Sequence, residues 1–149
     1  ALHPEMGHML LPQQHIPLES GFEGVCPFHK HCLEGLASGP AIEKRWGTRA
    51  ENLPIDHPAW ELEAHYLALG LANIICVLSP ERIIIGGGVM HQRQIFGYLH
   101  AQVRSLLNGY LRLPQITDKI EEYIASPGLQ DQAGVLGAIA LGVLAAEAK

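Results

Sequence analysis

Cys26 and Cys32 stand six residues apart, and His29 lies midway between them. Two thiols and an imidazole at three-residue spacing can converge on one ion. In an otherwise ordinary domain such a mixed Cys/His set suits Zn2+ better than copper or iron. A tetrahedral site needs a fourth ligand, and His8, His3 and His15 are all near enough upstream to supply it. His31 competes with His29 for the middle position, and spacing alone does not choose between them. A site closed by four protein ligands is structural rather than hydrolytic, and filling it orders the chain around it. Glu5 and Glu34 flank the cluster. Carboxylates beside a pocket accept hydrogen bonds from sugar hydroxyls. Taken alone, these two read as solvated surface acids.

A second candidate is the run Arg82-Ile83-Ile84-Ile85 followed at once by Gly86-Gly87-Gly88. The β-branched run predicts a strand buried on both faces. Glycines at its carboxyl end let backbone approach a ligand without a Cβ in the way. By itself a glycine triplet after a strand is a plain turn. There is no Gly-Lys-Ser/Thr phosphate loop and no spaced dinucleotide fingerprint. A nucleotide here would therefore be held by backbone and packing rather than by a lysine.

The elements that must position these residues follow from pattern. Residues 1–32 carry prolines at 4, 12, 17 and 27 and predict an irregular stretch that needs something to hold it. A short helix follows at Leu33–Ala37, and a second from Pro40 through Trp46, with Pro40 in its first turn. Asp56 is a plausible N-cap for a helix running to about Ser79, apolar on nearly all faces over Leu67–Leu78 and so expected to be buried. Further helices are predicted over 94–111, with Ile95, Leu99, Val103, Leu106 and Leu107 on one stripe, and over 132–146, capped by Asp131. Gly134, Gly137, Ala138 and Gly142 would let that last helix pack closely on a neighbour. Residues 120–126 read as a short strand. Trp46, Trp60, Phe96 and Cys76 read as core. Helix, strand, helix, strand, helix is an α/β layer order.

Composition bounds the partners. With 48% hydrophobic and 17% charged residues, 149 residues make one well-buried domain. A net charge of −5 and basic residues without a tract argue against nucleic acid and anionic membrane. Three cysteines make no disulfide framework and point to reduced thiols and a cytoplasmic setting. No secretory signal is visible, and the apolar stretch Tyr66–Leu78 is too short to span a bilayer. The Ala1 start suggests a piece cut from a longer chain.

Five motifs in order make the chain resemble the repressor–ORF–kinase (ROK) family of sugar kinases. Glu5-Met6-Gly7-His8 is similar to that family's Glu-x-Gly-His motif, and Cys32-Leu33-Glu34-Gly35 to the end of its zinc motif. Ser38-Gly39-Pro40-Ala41-Ile42 is similar to the segment after it. Ile84-Ile85-Gly86-Gly87-Gly88-Val89 is similar to the nucleotide-side turn, and Gly134-Val135-Leu136-Gly137-Ala138 to the C-terminal helix. His29 stands where many members carry a Cys-x-Cys, and the interval from His8 to Cys26 is longer; both features resemble the fructokinase branch. The resemblance implies an α/β, actin-like (ribonuclease H-like) sugar-kinase C-terminal domain with a zinc-binding loop over residues 1–35 and a nucleotide-side core over 36–149. It implies Zn2+ on His8, Cys26, His29 and Cys32, and a hexose, fructose first, on Glu5, His8 and Glu34. ATP with Mg2+ would lie along Pro40, Gly86, Gly87, Gly88, Val89 and Met90, and a homodimer is expected. The catalytic base is expected upstream, so no catalytic residue is assigned and these residues alone are expected to be inactive. A sugar-sensing regulator of the same family and a non-enzymatic zinc-stabilised interaction module are the two alternatives.

Overall fold

The computed structural model describes residues 4–12 and 21–147. Following a 3-10 turn at Met6–His8, the α-helices and strands of the described residues are α1 (Leu33–Leu36), α2 (Gly39–Trp46), α3 (Ala59–Leu78), β1 (Ile83–Ile84), α4 (Ile95–Leu107), α5 (Pro114–Thr117), α6 (Ile120–Tyr123), β2 (Ile124–Ala125) and α7 (Ala133–Glu147), with further 3-10 turns at Ala50–Asn52, Gly88–His91 and Gln130–Gln132. β1 and β2 pair in parallel, Ile83 against Ile124 and Ile84 against Ala125. Parallel pairing requires a crossover, and α4 to α6 supply it.

α3 is the scaffold. Trp60, Ala64, Ala68, Leu71 and Ile75 recur at three- and four-residue intervals and are buried, which puts them on one face. They meet Ile95, Leu99, Val103 and Leu107, the i, i+4 stripe of α4. The layer closes on Ile116, Ile120, Tyr123 and Ile124. The buried His100 donates from Nε2 to the Ile124 carbonyl at 2.9 Å, fastening α4 to β2. Trp60 Nε1 donates to the Pro54 carbonyl at 2.7 Å, so the largest core side chain leaves no polar atom unmet there. The upper end of α3 carries a second apolar cluster, Leu11, Leu36, Leu62 and Tyr66, with Met9, Phe22 and Leu33 against it. That cluster is the floor beneath the cysteine loop.

Several boundaries follow the sequence. Ser38 caps α2 by accepting from Ala41 N at 3.3 Å, and Pro40 occupies the first turn. α3 starts at Ala59 after Pro58, with His57 Nδ1 rather than Asp56 accepting its first amide at 3.1 Å. α3 is 20 residues long, enough by length and composition to cross a membrane; in this fold it packs on α4.

Other expectations are corrected, mostly for one reason. β1 is only two residues long, and Ile84 is 54% exposed rather than buried on both faces. Residues 120–123 form a turn of helix ahead of the two-residue β2. The end of α3 is open, with Val77 and Leu78 exposed, and Cys76 is exposed instead of core. Leu106 likewise faces outward. α7 has no buried residue, and nothing described lies within 4 Å of a methyl placed on Gly134, Gly137 or Gly142. Asp131, expected as the cap of the last helix, lies within a 3-10 turn at Gln130–Gln132 and reaches His91. The apolar groups that lie open here, from Ile84 to α7, have no covering layer among the described residues. Trp46 and Phe96 are half-buried against the core, as their helical positions predict.

Candidate metal centre

The loop from Val25 to Gly35 is built as a tight reversal. Lys30 N donates to Cys26 O at 3.0 Å, and Val25 N donates to Gly35 O at 2.9 Å. Leu10 bridges Cys32 across the base. Two glycines make the reversal possible. A methyl on Gly35 would fall 1.8 Å from the Lys30 carbonyl oxygen, and one on Gly24 2.0 Å from the same atom. Gly24 also has φ of +93°, which favours glycine.

This reversal carries Cys26, His29 and Cys32 to one point, and the 3-10 turn at Met6–His8 brings His8 to meet them. The donor atoms of His8, Cys26, His29 and Cys32 all lie within 4.8 Å of one another. His8 Nδ1 is 3.8 Å from Cys26 Sγ and 3.7 Å from Cys32 Sγ, and His29 Nδ1 is 3.9 Å from Cys26 Sγ. A tetrahedral Zn2+ with ordinary bond lengths separates sulfur from nitrogen by about 3.6 Å. The described donors therefore fit that ion in number, type and spacing. His31 lies outside the cluster; its carbonyl accepts from Leu11 N at 3.2 Å and so serves the backbone. His3 and His15 lie outside the described residues.

Backbone amides prepare the sulfurs. His29 N donates to Cys26 Sγ at 3.5 Å, and Gly35 N to Cys32 Sγ at 3.4 Å. The His29 amide is the main reason that the Cys26 thiol is lowered to about 6, against the opposing effect of burial. Cys32 moves the other way, because burial raises it and Cys26 beside it adds to the rise. One thiolate thus forms readily, and the second proton leaves when a cation offsets the cost.

The rim is polar. His8 points Nδ1 at the thiols and Nε2 outward, where Glu34 Oε2 stands 3.6 Å away. Gly7 packs beside Glu34, whose Cβ would be 3.8 Å from a methyl at that position. Glu5 is exposed on the same turn, its carbonyl accepting from His8 N at 3.0 Å. His8 and Glu34 are therefore in contact beside the cluster, and Glu5 adjoins them through its backbone.

The glycine turn forms a separate hollow at the carboxyl ends of β1 and β2. Its lining includes Gly86, Gly87 and Met90 from the expected set, together with His91, Arg93 and Asp131. Gly88 and Val89 are not among its lining residues. Pro40 lines a different groove, although a methyl on the adjoining Gly39 would lie 3.9 Å from Val89 Cγ2. Sequence pattern does not single out His91 or Arg93. The His91 Nε2 to Asp131 Oδ1 contact of 2.6 Å spans forty residues and leaves no local signal. A buried carboxyl in α3, Glu63, is equally silent apart from being a charge within an apolar run.

The family model described as "ROK family" matches residues 1–144. A protein of Zymomonas mobilis named "Fructokinase" is 45% identical over 149 residues, 99% of this chain and 47% of that protein. The "Fructokinase" of Pediococcus pentosaceus is 39% identical over 139 residues, 93% of this chain and 46% of that one. Among solved structures, "Crystal Structure of ROK Hexokinase from Thermus thermophilus" aligns with a TM-score of 0.66 at 23% identity, over 90% of this chain and 45% of that chain. The α/β fold described above is thus shared with that structure. The chain spans about half the length of the curated relatives it matches.

Proposed function

The chain belongs to the ROK family, and from that premise we propose that it is the C-terminal, zinc-organised half of a hexose kinase whose acceptor is fructose. The observation that carries this reading is the two-sided use of His8. Its Nδ1 joins two thiols and a second imidazole, while Nε2 faces Glu34 at an open rim. A ring clamped on one side by a cation cannot rotate, so its other nitrogen becomes a fixed hydrogen-bonding point.

Zn2+ would supply no bond-making chemistry at this centre; it would neutralise the thiolates and fix the loop. The chain's own residues do the binding. Glu34 and Glu5 accept from sugar hydroxyls, and His8 Nε2 sets the register of the ring between them. The glycine turn at Gly86 and Gly87, where no side chain intervenes, takes the phosphates of ATP, with Met90 beneath. Mg2+ and the base that removes the hydroxyl proton belong to the other half. Phosphoryl transfer depends on positioning and charge stabilisation, so this half by itself binds weakly and turns over negligibly. The fructokinase names of the two relatives, each at least 39% identical, support fructose over other hexoses and a kinase over a regulator.

Zinc content per chain and kinetics on the full-length protein test this. One zinc per chain is expected, and His8→Ala is expected to raise the fructose KM by about a hundredfold or more, with the ATP KM little changed. A chelated, metal-free full-length protein with unaltered fructose kinetics would sink the proposal. A panel of hexoses, with fructose giving the highest kcat/KM, tests the acceptor.

A further inference from the structure

Arg45 makes contacts that bracket the cysteine loop at residues outside its four candidate ligands. Its guanidinium carbon lies 4.1 Å from the centre of the Phe22 ring and 5.7 Å from that of Tyr66. Nη2 donates to the Leu36 carbonyl at 3.1 Å. Phe22 comes four residues before Cys26, and Leu36 four residues after Cys32. One side chain on α2 therefore grips both the entry and the exit of the loop. Tyr66 belongs to α3, as does the buried Glu63, whose carboxyl faces the Arg45 charge. The loop is tied through Arg45 to the most heavily packed helix in the fold.

We propose that Arg45 is a positioning residue that holds the loop ends on α3 independently of the metal, and so places Glu34 and His8 at the rim. A planar guanidinium can stack on an aromatic face and donate in its own plane at once, which an ammonium cannot do as well. Leu36 is two residues after Glu34 and closes the helix that presents it. A shift of the Leu36 carbonyl moves the Glu34 carboxylate with it. On this view the metal shapes the loop's tip and Arg45 fixes its base.

The kinetic part rests on the fructokinase reading; the structural part does not. Hydrogen exchange of the full-length protein, with metal and after stripping it with a chelator, separates them. In the metal-free wild type the amides of Leu36 and Ala37 are expected to stay protected. Arg45→Met and Phe22→Leu are each expected to speed their exchange about tenfold, with no further gain in the double variant. Arg45→Lys is expected to lie between. In the metal-loaded protein Arg45→Met is expected to raise the fructose KM about fivefold, with kcat and the ATP KM unchanged. Should Arg45→Met fail to fold, Phe22→Leu carries the same comparison, because it leaves Arg45 and Glu63 in place. Loss of all protection at Leu36 and Ala37 in the metal-free wild type, or wild-type exchange in both variants, overturns the proposal. A wild type that phosphorylates no hexose defeats the kinase reading, while the exchange comparison still decides the anchor.

Discussion

Glu63 is 1% exposed, and neither of its carboxylate oxygens has a hydrogen-bond partner among the described residues. Burial raises its carboxyl from 4.5 to about 8, more than the charge of Arg45 lowers it. The folded chain therefore keeps this proton over a range in which the unfolded chain has lost it. Stability that is full below pH 4.5 falls as pH rises towards about 8. Glu63→Gln cannot ionise, so its stability should lose this slope and exceed that of the wild type at pH 8 by on the order of 2 kcal/mol. Urea denaturation of both proteins at pH 5 and pH 8 measures it; parallel slopes would show that Glu63 is ionised in the fold. At the same scale, Cys26→Ser removes a sulfur that two ring nitrogens face at 3.8 and 3.9 Å. It is expected to abolish stoichiometric zinc, read by elemental analysis, and to lower thermal stability.

Close approaches between elements rank the next substitutions. At Gly35 a methyl meets the rigid Lys30 carbonyl at 1.8 Å, so Gly35→Ala must open the reversal. A loss of about 3 kcal/mol is expected, together with loss of bound zinc. At Gly70, where α3 passes α1, a methyl meets the tip of Leu33 at 2.8 Å. A side-chain tip can turn aside where backbone cannot, so Gly70→Ala should cost about 1 kcal/mol and leave zinc content unchanged. Equal losses, or the reverse order, would mean that the Lys30 backbone does not set the close packing at Gly35. Much of this scale was legible beforehand: Ser38-Gly39-Pro40 announces the start of α2, and the spacing of Ile95, Leu99 and Val103 announces α4. Those signals lie within a few residues of each other, where propensity and periodicity act.

For the whole molecule, α7 is the telling element. Ala133–Glu147 has no charged residue before its last position, and Leu141 and Leu144 are 69% and 61% exposed. A helix that is apolar all round belongs inside a fold. The relatives carry about as much length again as this chain, which is the expected cover for α7. Leu141→Lys with Leu144→Lys should raise the solubility of the 149-residue chain and leave its unfolding midpoint unchanged. In the full-length protein the same pair should be destabilising by about 3 kcal/mol or more. Tolerance of both lysines at full length would show that this face stays in water.

Chain spacing by itself determined that two thiols and an imidazole could share an ion, that a glycine turn ends a strand, and that helices and strands alternate around α3. These are local facts, set by which side chains lie three, four or six residues apart. Spacing left the fourth ligand and the choice of His29 or His31 open. The family resemblance implied His8 and His29; the tertiary structure brings both to the thiols, and it alone decided that Arg45 ties Phe22 to Leu36. Those contacts join residues as many as twenty-four positions apart, and sequence distance carries no information about which backbone turn will point a ring inward. It also decided what sequence pattern misjudged. Cys76, Ile84 and the apolar face of α7 carry core signatures but lie open, because burial depends on every layer that packs against an element and not on the element's own residues.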